Sequence, residues 1–362
     1  MAIFDDFAQS LGGAWRPAAD SKLDGLLDWH RRFVRKLQQN NYLAGRPPIE
    51  FGLINSGQFN AVAGMQNGVD VIGLCLGQPL ITANLFSSLL SHPEILPNVG
   101  NSSAETFRGA FDPTQRSVDV FAVAAAITSP KDPVRADYAL KLGWIARYFI
   151  VEHEFYHLFN GHIDWLNKTT NFNALGEVGA SAIPNLSALN LQTLEMDADC
   201  NGATHTLLTI FRARPEVCLS NPHMNTYEDA TFAIHFALYC IFRIFNTKRI
   251  DLTIDMLDYG DHPPAVMRQF MIAATMHSRL FDNKSVSEFI TEERFATAAS
   301  GALIEAERAF LLVAGKPPHA NAMAVSGPII DKCSKDTKRL NKNWTSLRLE
   351  LLPYKRGRTL SE

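Results

Sequence analysis

Trp144-Ile145-Ala146-Arg147-Tyr148-Phe149-Ile150-Val151-Glu152-His153-Glu154-Phe155-Tyr156-His157-Leu158-Phe159 is the stretch from which both fold and function are read. It belongs to a long, mostly apolar run that starts after Pro133 and predicts one helix through Trp165. His153 and His157 are four residues apart, so on a helix they share a face and both imidazoles can point at one ion. Glu154 lies beside the first of them and can reach a metal-bound water without itself being a ligand. A zinc ion would need a third protein ligand and an open fourth position to lower the pKa of water to about 7. The bland alternative is a pair of partly exposed histidines on a core helix. The apolar flanks count against it, because a buried charge such as Glu154 is costly unless it is paired or serves a site.

A second helical segment carries the missing ligand type. Leu194-Glu195-Met196-Asp197-Ala198-Asp199 places Glu195 and Asp199 four apart on one face, followed by the small residues of Cys200-Asn201-Gly202-Ala203. That spacing supplies one carboxylate as ligand and a second to accept the outer N–H of a ligating histidine. Two carboxylates on a solvated face is the competing reading, and the small, apolar neighbours weaken it. Which of the two acids is the ligand stays open on spacing alone. His162 falls nine positions after His153, with Asn160 at the seventh position and Gly161 at the eighth. The metzincin pattern needs a third histidine at ten and a glycine at seven, so His162 is rejected as the third ligand.

Around these motifs the chain reads as mainly α. Ser21 to Asn41 is an amphipathic helix, and Ile49 to Ile54 and Val69 to Leu76 are the strand candidates, punctuated by glycines. A helix is expected between Pro79 and Leu90, then a loop from Asn98 to Gln115, then Val118 to Ile127 as buried strand or helix. Asn167 to Asn190, rich in Asn, Ala, Gly and Ser, reads as an irregular insertion or a weak helix. Further helices follow at Leu191 to Arg212, Thr226 to Phe245, Pro264 to Leu280, Val286 to Val313 and Gly327 to Leu349. A polar tail from Lys355 to Glu362 reads as frayed. No internal repeat or low-complexity linker is evident.

Composition narrows the function classes. Against 37 Asp+Glu the chain has 34 Lys+Arg, a formal net charge of −3 in 362 residues, which lacks the basic footprint of a nucleic-acid binder. The longest uncharged apolar stretch, Ala230 to Phe242, is too short to span a bilayer and carries His235, so no membrane partner is expected. The acidic start, Met1 to Asp6, does not resemble a secretory signal. Five cysteines without a CxxC pair read as reduced thiols, and the expected compartment is the cytoplasm.

His153-Glu154-Phe155-Tyr156-His157-Leu158-Phe159-Asn160-Gly161-His162 resembles the active-site helix of HtpX- and Oma-type gluzincin endopeptidases, which often carry that closing Gly-His pair. Glu195-Met196-Asp197-Ala198-Asp199 resembles their third-ligand helix. Asn60-Ala61-Val62-Ala63, followed by Val69 to Leu76, is similar to the family's Asn-Ala-x-Ala turn and the edge strand over the active site. Asp261-His262-Pro263-Pro264 with Arg268 resembles its late His-Pro…Arg element, and Tyr259 is another possible donor in that turn. A weaker resemblance is to phage-exclusion peptidases of the Lit type.

The resemblance implies a mainly α (α+β) chain: a zincin-like helical domain with a small sheet carrying an active-site edge strand. It implies one Zn2+ per chain on His153, His157 and Glu195, with Glu154 as general base and Asp199 orienting a histidine. His262 and Arg268 would stabilise the oxyanion, and Asn60, Ala61, Val62 and Ala63 would hold substrate by strand pairing. The segments divide as an N-terminal helical part at 1–48, a metallopeptidase domain at 49–282 and a helical extension at 283–362.

The expected activity is hydrolysis of protein or peptide substrates by water activated at Glu154. An activating partner or the insertion at 167–190 would gate it. Three rivals stand beside it: an inactive peptidase fold used as a binding module, a phage-defence peptidase acting on a specific host protein, and a small-molecule hydrolase or differently ligated enzyme in which Asp199 rather than Glu195 is the third ligand. Most of the resembling enzymes are embedded in membranes or exported, so no family substrate is carried over.

Overall fold

The computed structural model describes residues 3–19, 21–107, 117, 119, 127, 129–176, 186–245, 263–282, 289–313, 315 and 327–357. In chain order the elements are α1 (Ile3–Ala8), β1 (Ala14–Trp15), α2 (Lys22–Asn41), β2 (Glu50–Ile54), β3 (Ala61–Gln66), β4 (Val69–Cys75), α3 (Gly77–Leu90), α4 (Pro133–Phe159), α5 (His162–Thr170), β5 (Ala174–Gly176), α6 (Ala188–Arg212), the short α7 (Pro215–Cys218), α8 (Tyr227–Phe245), α9 (Ala265–Phe281), α10 (Glu292–Val313) and α11 (Gly327–Leu351). The chain is mainly helical with one small five-stranded sheet, as its sequence pattern indicates. Val118 to Ile127 lies outside the described residues apart from positions 119 and 127.

Local chemistry explains the main boundaries. Ser21 caps α2 by accepting from the Asp24 N–H, and Asp132 does the same for Arg135 at the start of α4, where Pro133 occupies the first turn. Ser187 caps α6 through the Asn190 N–H. The helix expected from Pro133 to Trp165 is in fact two. It stops at Asn160, and Gly161 turns the chain with φ of 81° into α5. A side chain on Gly161 would also come within 2.6 to 2.7 Å of Tyr354, so the break is held by backbone conformation and by packing together.

The sheet runs in the order β1-β2-β4-β3-β5. Asn67 and Gly68, with φ of 52° and 78°, close β3 onto β4 as a two-residue hairpin. β2 then pairs parallel to the other side of β4, and β5 pairs antiparallel to β3. Two expectations are corrected here. Asn60-Ala61-Val62-Ala63 is not a turn but leads into strand β3, and Val69 to Leu76 is an interior strand rather than an edge. One face of the sheet, with Ile54, Val62, Val71 and Cys75, packs on Phe4 and Phe7 of α1. The other face, with Leu53, Ala61, Ala63, Ile72 and Leu74, joins the main core beside Ile150, Val151, Phe155 and Leu158 of α4. α6 lies along α4 so closely that a side chain on Gly202 would come 3.0 Å from the His153 backbone nitrogen. This approach sets the carboxylates of α6 against the histidines of α4.

All five cysteines are free. Among the described residues no helix is long and apolar enough to cross a membrane.

Two buried histidines away from these motifs make folding pH-dependent. His30 stacks on Phe51, and its Nδ1 lies 2.7 Å from the Leu26 carbonyl; His235 meets the Gln269 side-chain amide. Burial pushes both from an ordinary value of 6.5 down to about 4. The folded chain therefore keeps them neutral while the unfolded chain takes up protons. Their stabilisation is fully present above pH 6.5 and is lost as pH falls towards 4. Each should lose about 2 kcal/mol between pH 6.5 and 5. Urea midpoints at pH 7 and pH 5 check this. The pH difference should shrink in His30→Gln and in His235→Gln, and an undiminished difference in both variants would contradict it.

Candidate metal centre

His153, His157 and Glu195 converge into a buried group whose ligand atoms all lie within 4.8 Å of one another, a cluster that could hold a metal ion. The two Nε2 atoms are 2.9 Å apart. Glu195 brings one carboxylate oxygen to 3.3 Å from His153 Nε2 and the other to 3.6 Å from His157 Nε2. Helical geometry does the positioning: one turn of α4 stacks the two imidazoles, and the Gly202 contact brings α6 near enough for Glu195 to reach them.

The outer nitrogens of both rings are engaged. His153 Nδ1 lies 3.0 Å from Asp199 Oδ1, the placement that an orienting carboxylate requires. Asp199 is thus on the far side of the ring from the cluster, and Glu195 is the carboxylate that joins the two histidines there. Burial alone would push the Asp199 carboxyl up. The Arg268 guanidinium and the His153 hydrogen bond outweigh it and hold the group below the usual carboxylate range. An ionised Asp199 can only accept, so the His153 proton sits on Nδ1 and the Nε2 lone pair faces the cluster. His157 Nδ1 lies 2.9 Å from His162 Nδ1, so His162 is on the outside of the cluster, consistent with its rejection as a ligand.

Arg268 is drawn into the site, but onto Asp199. Its Nε and Nη2 donate to the two carboxylate oxygens at 2.7 Å each, and the guanidinium lies 4.2 Å over the Phe242 ring. It is fully buried, and the pairing with Asp199 engages its Nε and Nη2. The physical reason is that a buried guanidinium and a buried carboxylate are each costly unless they meet. His262 and Tyr259 lie outside the described residues.

Glu154 is buried. Burial pushes the Cys75 thiol up to about 11, and the neighbouring Glu154 carboxylate adds to the shift. The Cys75 N–H donates to the Asn60 carbonyl at 3.1 Å, which ties the end of β4 to the start of β3. The Asn60 to Ala63 segment is itself buried, and the open side of β3 is taken by the chain's own β5. Val62 pairs with Gly176, Ala63 with Leu175 and Gly64 with Ala174; Gly176 sits so close that a Cβ would lie 3.1 Å from the Ala61 carbonyl oxygen.

Three participants were not legible as such in the sequence. Arg268 as the partner of Asp199 is one, and the Asp197-His162 contact behind His157, at 3.2 Å, is another. The third is Glu152, whose buried carboxyl is pushed up by desolvation and partly held down by His205 at 2.6 Å. That pair ties α4 to α6. Only the Gly161-His162 dipeptide gave any hint of the second.

No known protein family matches this chain, and no curated protein or solved structure matches it either.

Proposed function

We propose that this chain is a zinc-dependent endopeptidase that hydrolyses peptide bonds of protein substrates. The observation that carries the reading is the meeting of two imidazole nitrogens and a carboxylate inside the core. At least the His153 ring, and by its outer contact the His157 ring, is held with its outer nitrogen occupied. Two histidines and one carboxylate are a donor set that suits zinc, with a fourth position left for water or substrate. Zinc bound there would act as a Lewis acid and bring the pKa of water near 7. Glu154 takes the proton from the attacking water as oxygen adds to the scissile carbonyl carbon. It then delivers that proton to the amine nitrogen as the C–N bond breaks. Asp199, neutralised by Arg268, keeps the His153 ring in one orientation throughout.

The test is the metal content of the purified protein beside His153→Ala. About one zinc per chain is expected in the wild type and none in the variant. Glu195→Ala should likewise abolish binding, whereas Asp199→Ala should weaken it about 10–100-fold. A well-folded wild type that takes up no metal after incubation with zinc would sink the reading.

Gating by the 167–190 insertion is part of the same proposal. β5 covers the stretch of β3 that the family resemblance assigns to substrate, so an extended peptide must displace it to pair there. Leu175 is buried beneath this pairing. Leu175→Asp should loosen β5 and raise the rate of cleavage of an unstructured fluorogenic peptide at unchanged zinc content. An unaltered or lower rate would remove the gating role.

A further inference from the structure

His162 follows His157 by five residues, which on an unbroken helix would put it about 140° around the axis and out of reach. The turn at Gly161 cancels that rotation. α5 begins at His162, and its ring comes back so that Nδ1 lies 2.9 Å from Nδ1 of His157, edge-on with ring centroids 5.1 Å apart. On the other side of the ring, His162 Nε2 is 3.2 Å from Asp197 Oδ2, within ion-pair distance though not aligned as a hydrogen bond. Asp197 is fixed in turn by Asn160, which donates to Oδ2 at 2.5 Å, and by Asn201, which donates to Oδ1 at 2.9 Å. The whole chain Asp197-His162-His157 is buried, with His162 fully so.

One assignment of the ring protons along this chain suits metal binding. With the His162 proton on Nε2, toward the Asp197 carboxylate 3.2 Å away, His162 Nδ1 is an acceptor. His157 Nδ1 then donates to it across 2.9 Å, which turns the His157 Nε2 lone pair toward Glu195 and the space a metal would take. We infer that His162, backed by Asp197, is a positioning residue that fixes the tautomer and orientation of His157 for metal binding. It serves this second histidine as Asp199 serves the first. The inference rests on the metal-centre reading above. It also accounts for the sharp break at Asn160 and Gly161, because a continuous helix would leave His157 without this partner.

The experiment measures zinc affinity by chelator competition, together with the visible absorption of the cobalt-substituted protein, which reports ligand geometry. It uses the full chain as wild type, His162→Ala, His162→Asn, Asp197→Asn and His153→Ala. His162→Ala should weaken zinc binding about 10–100-fold and alter the cobalt spectrum. His162→Asn, whose amide oxygen can stand near the position of Nδ1, should recover most of the affinity, a rescue that a role in mere packing would not give. Asp197→Asn should weaken binding in the wild type and have a smaller effect when combined with His162→Ala. Wild-type affinity and an unchanged cobalt spectrum in His162→Ala overturn the inference, as does a failure of His162→Asn to recover any affinity in a folded protein. If His162→Ala does not fold, Asp197→Asn decides: normal affinity in that variant overturns the inference too. Zinc bound by the wild type and lost in His153→Ala, with His162→Ala unaffected, removes this inference alone. A wild type that binds no zinc removes the metal-centre reading and this inference with it.

Discussion

Replacing Arg356 by alanine is expected to lower folding stability by about 3–5 kcal/mol, the range for breaking a buried ion pair from one side. The guanidinium is buried and donates to Asp70 Oδ2 at 3.0 Å and Oδ1 at 2.8 Å, to the Tyr354 carbonyl at 2.8 Å, and contacts Asp164. Tyr42 also donates to Asp70 Oδ2, at 3.0 Å. The Arg356 backbone joins the same junction: its N–H donates to the Phe159 carbonyl at 2.9 Å, and its carbonyl accepts from the Leu43 N–H at 2.8 Å. One residue therefore links the end of α2, strand β4, the end of α4 and α5. Without it Asp70 and Asp164 face each other with their shared counter-ion gone, and the turn at Gly161 loses a support. Urea unfolding of the variant checks the size of the effect. A conservative Arg356→Lys change should recover only part of it, because a lysine cannot reproduce the two parallel bonds to Asp70. Loss of less than about 1 kcal/mol in the alanine variant would show the junction to be ordinary surface electrostatics.

The tail from Lys355 to Glu362 was expected to fray; its first residues, 355 to 357, are held in this junction while the rest lies outside the described residues, and the reason explains which parts of the molecule could be read from sequence. Arg356 and Asp70 are 286 positions apart. Nothing in the polar run around Arg356 carries a periodicity, so only the folded chain reveals the pair. The helices were legible because their apolar positions recur at helical spacing and their starts carry caps such as Ser21 and Asp132. His153 with His157, and Glu195 with Asp199, were legible for the same reason: spacing by four is a statement about one helix face. The strands fared less well. β3 is Ala-Val-Ala-Gly-Met-Gln, with little of the β-branched character that marks a strand, so it was not read as one, and nothing then opposed the edge position that the family resemblance implied for β4. Asn67-Gly68 was the available signal, since two left-handed residues between extended runs make a tight hairpin and a hairpin gives β4 a partner on that side. Outer contacts of the site were illegible in principle. Arg268 reaches Asp199 across 69 positions, and His162 reaches His157 only because the helix breaks between them.

Glu154→Gln separates chemistry from architecture, and its expected effect on rate is the largest of all. Glu154 and glutamine have nearly the same shape, and the side chain is buried, so the variant should fold. Zinc content should stay near one per chain, because on the proposed reading His153, His157 and Glu195 would supply the ligand atoms, and Glu154 does not belong to that cluster. An amide, however, cannot accept the proton of an attacking water at neutral pH. Loss of a positioned general base typically costs about 10²–10⁴-fold in rate. Cleavage of the fluorogenic peptide by Leu175→Asp, with and without Glu154→Gln, gives the comparison in a background where, on the gating proposal, β5 would no longer limit access. The double variant should bind the peptide with little change in KM while kcat falls by that factor, since proton transfer and not binding has been removed. Retained kcat in a zinc-loaded Glu154→Gln protein would show that the proton goes elsewhere. The His-His-Glu cluster would then be a metal centre without the hydrolytic role proposed for it. Loss of zinc in the same variant would instead place the Glu154 carboxylate among the groups that hold the metal.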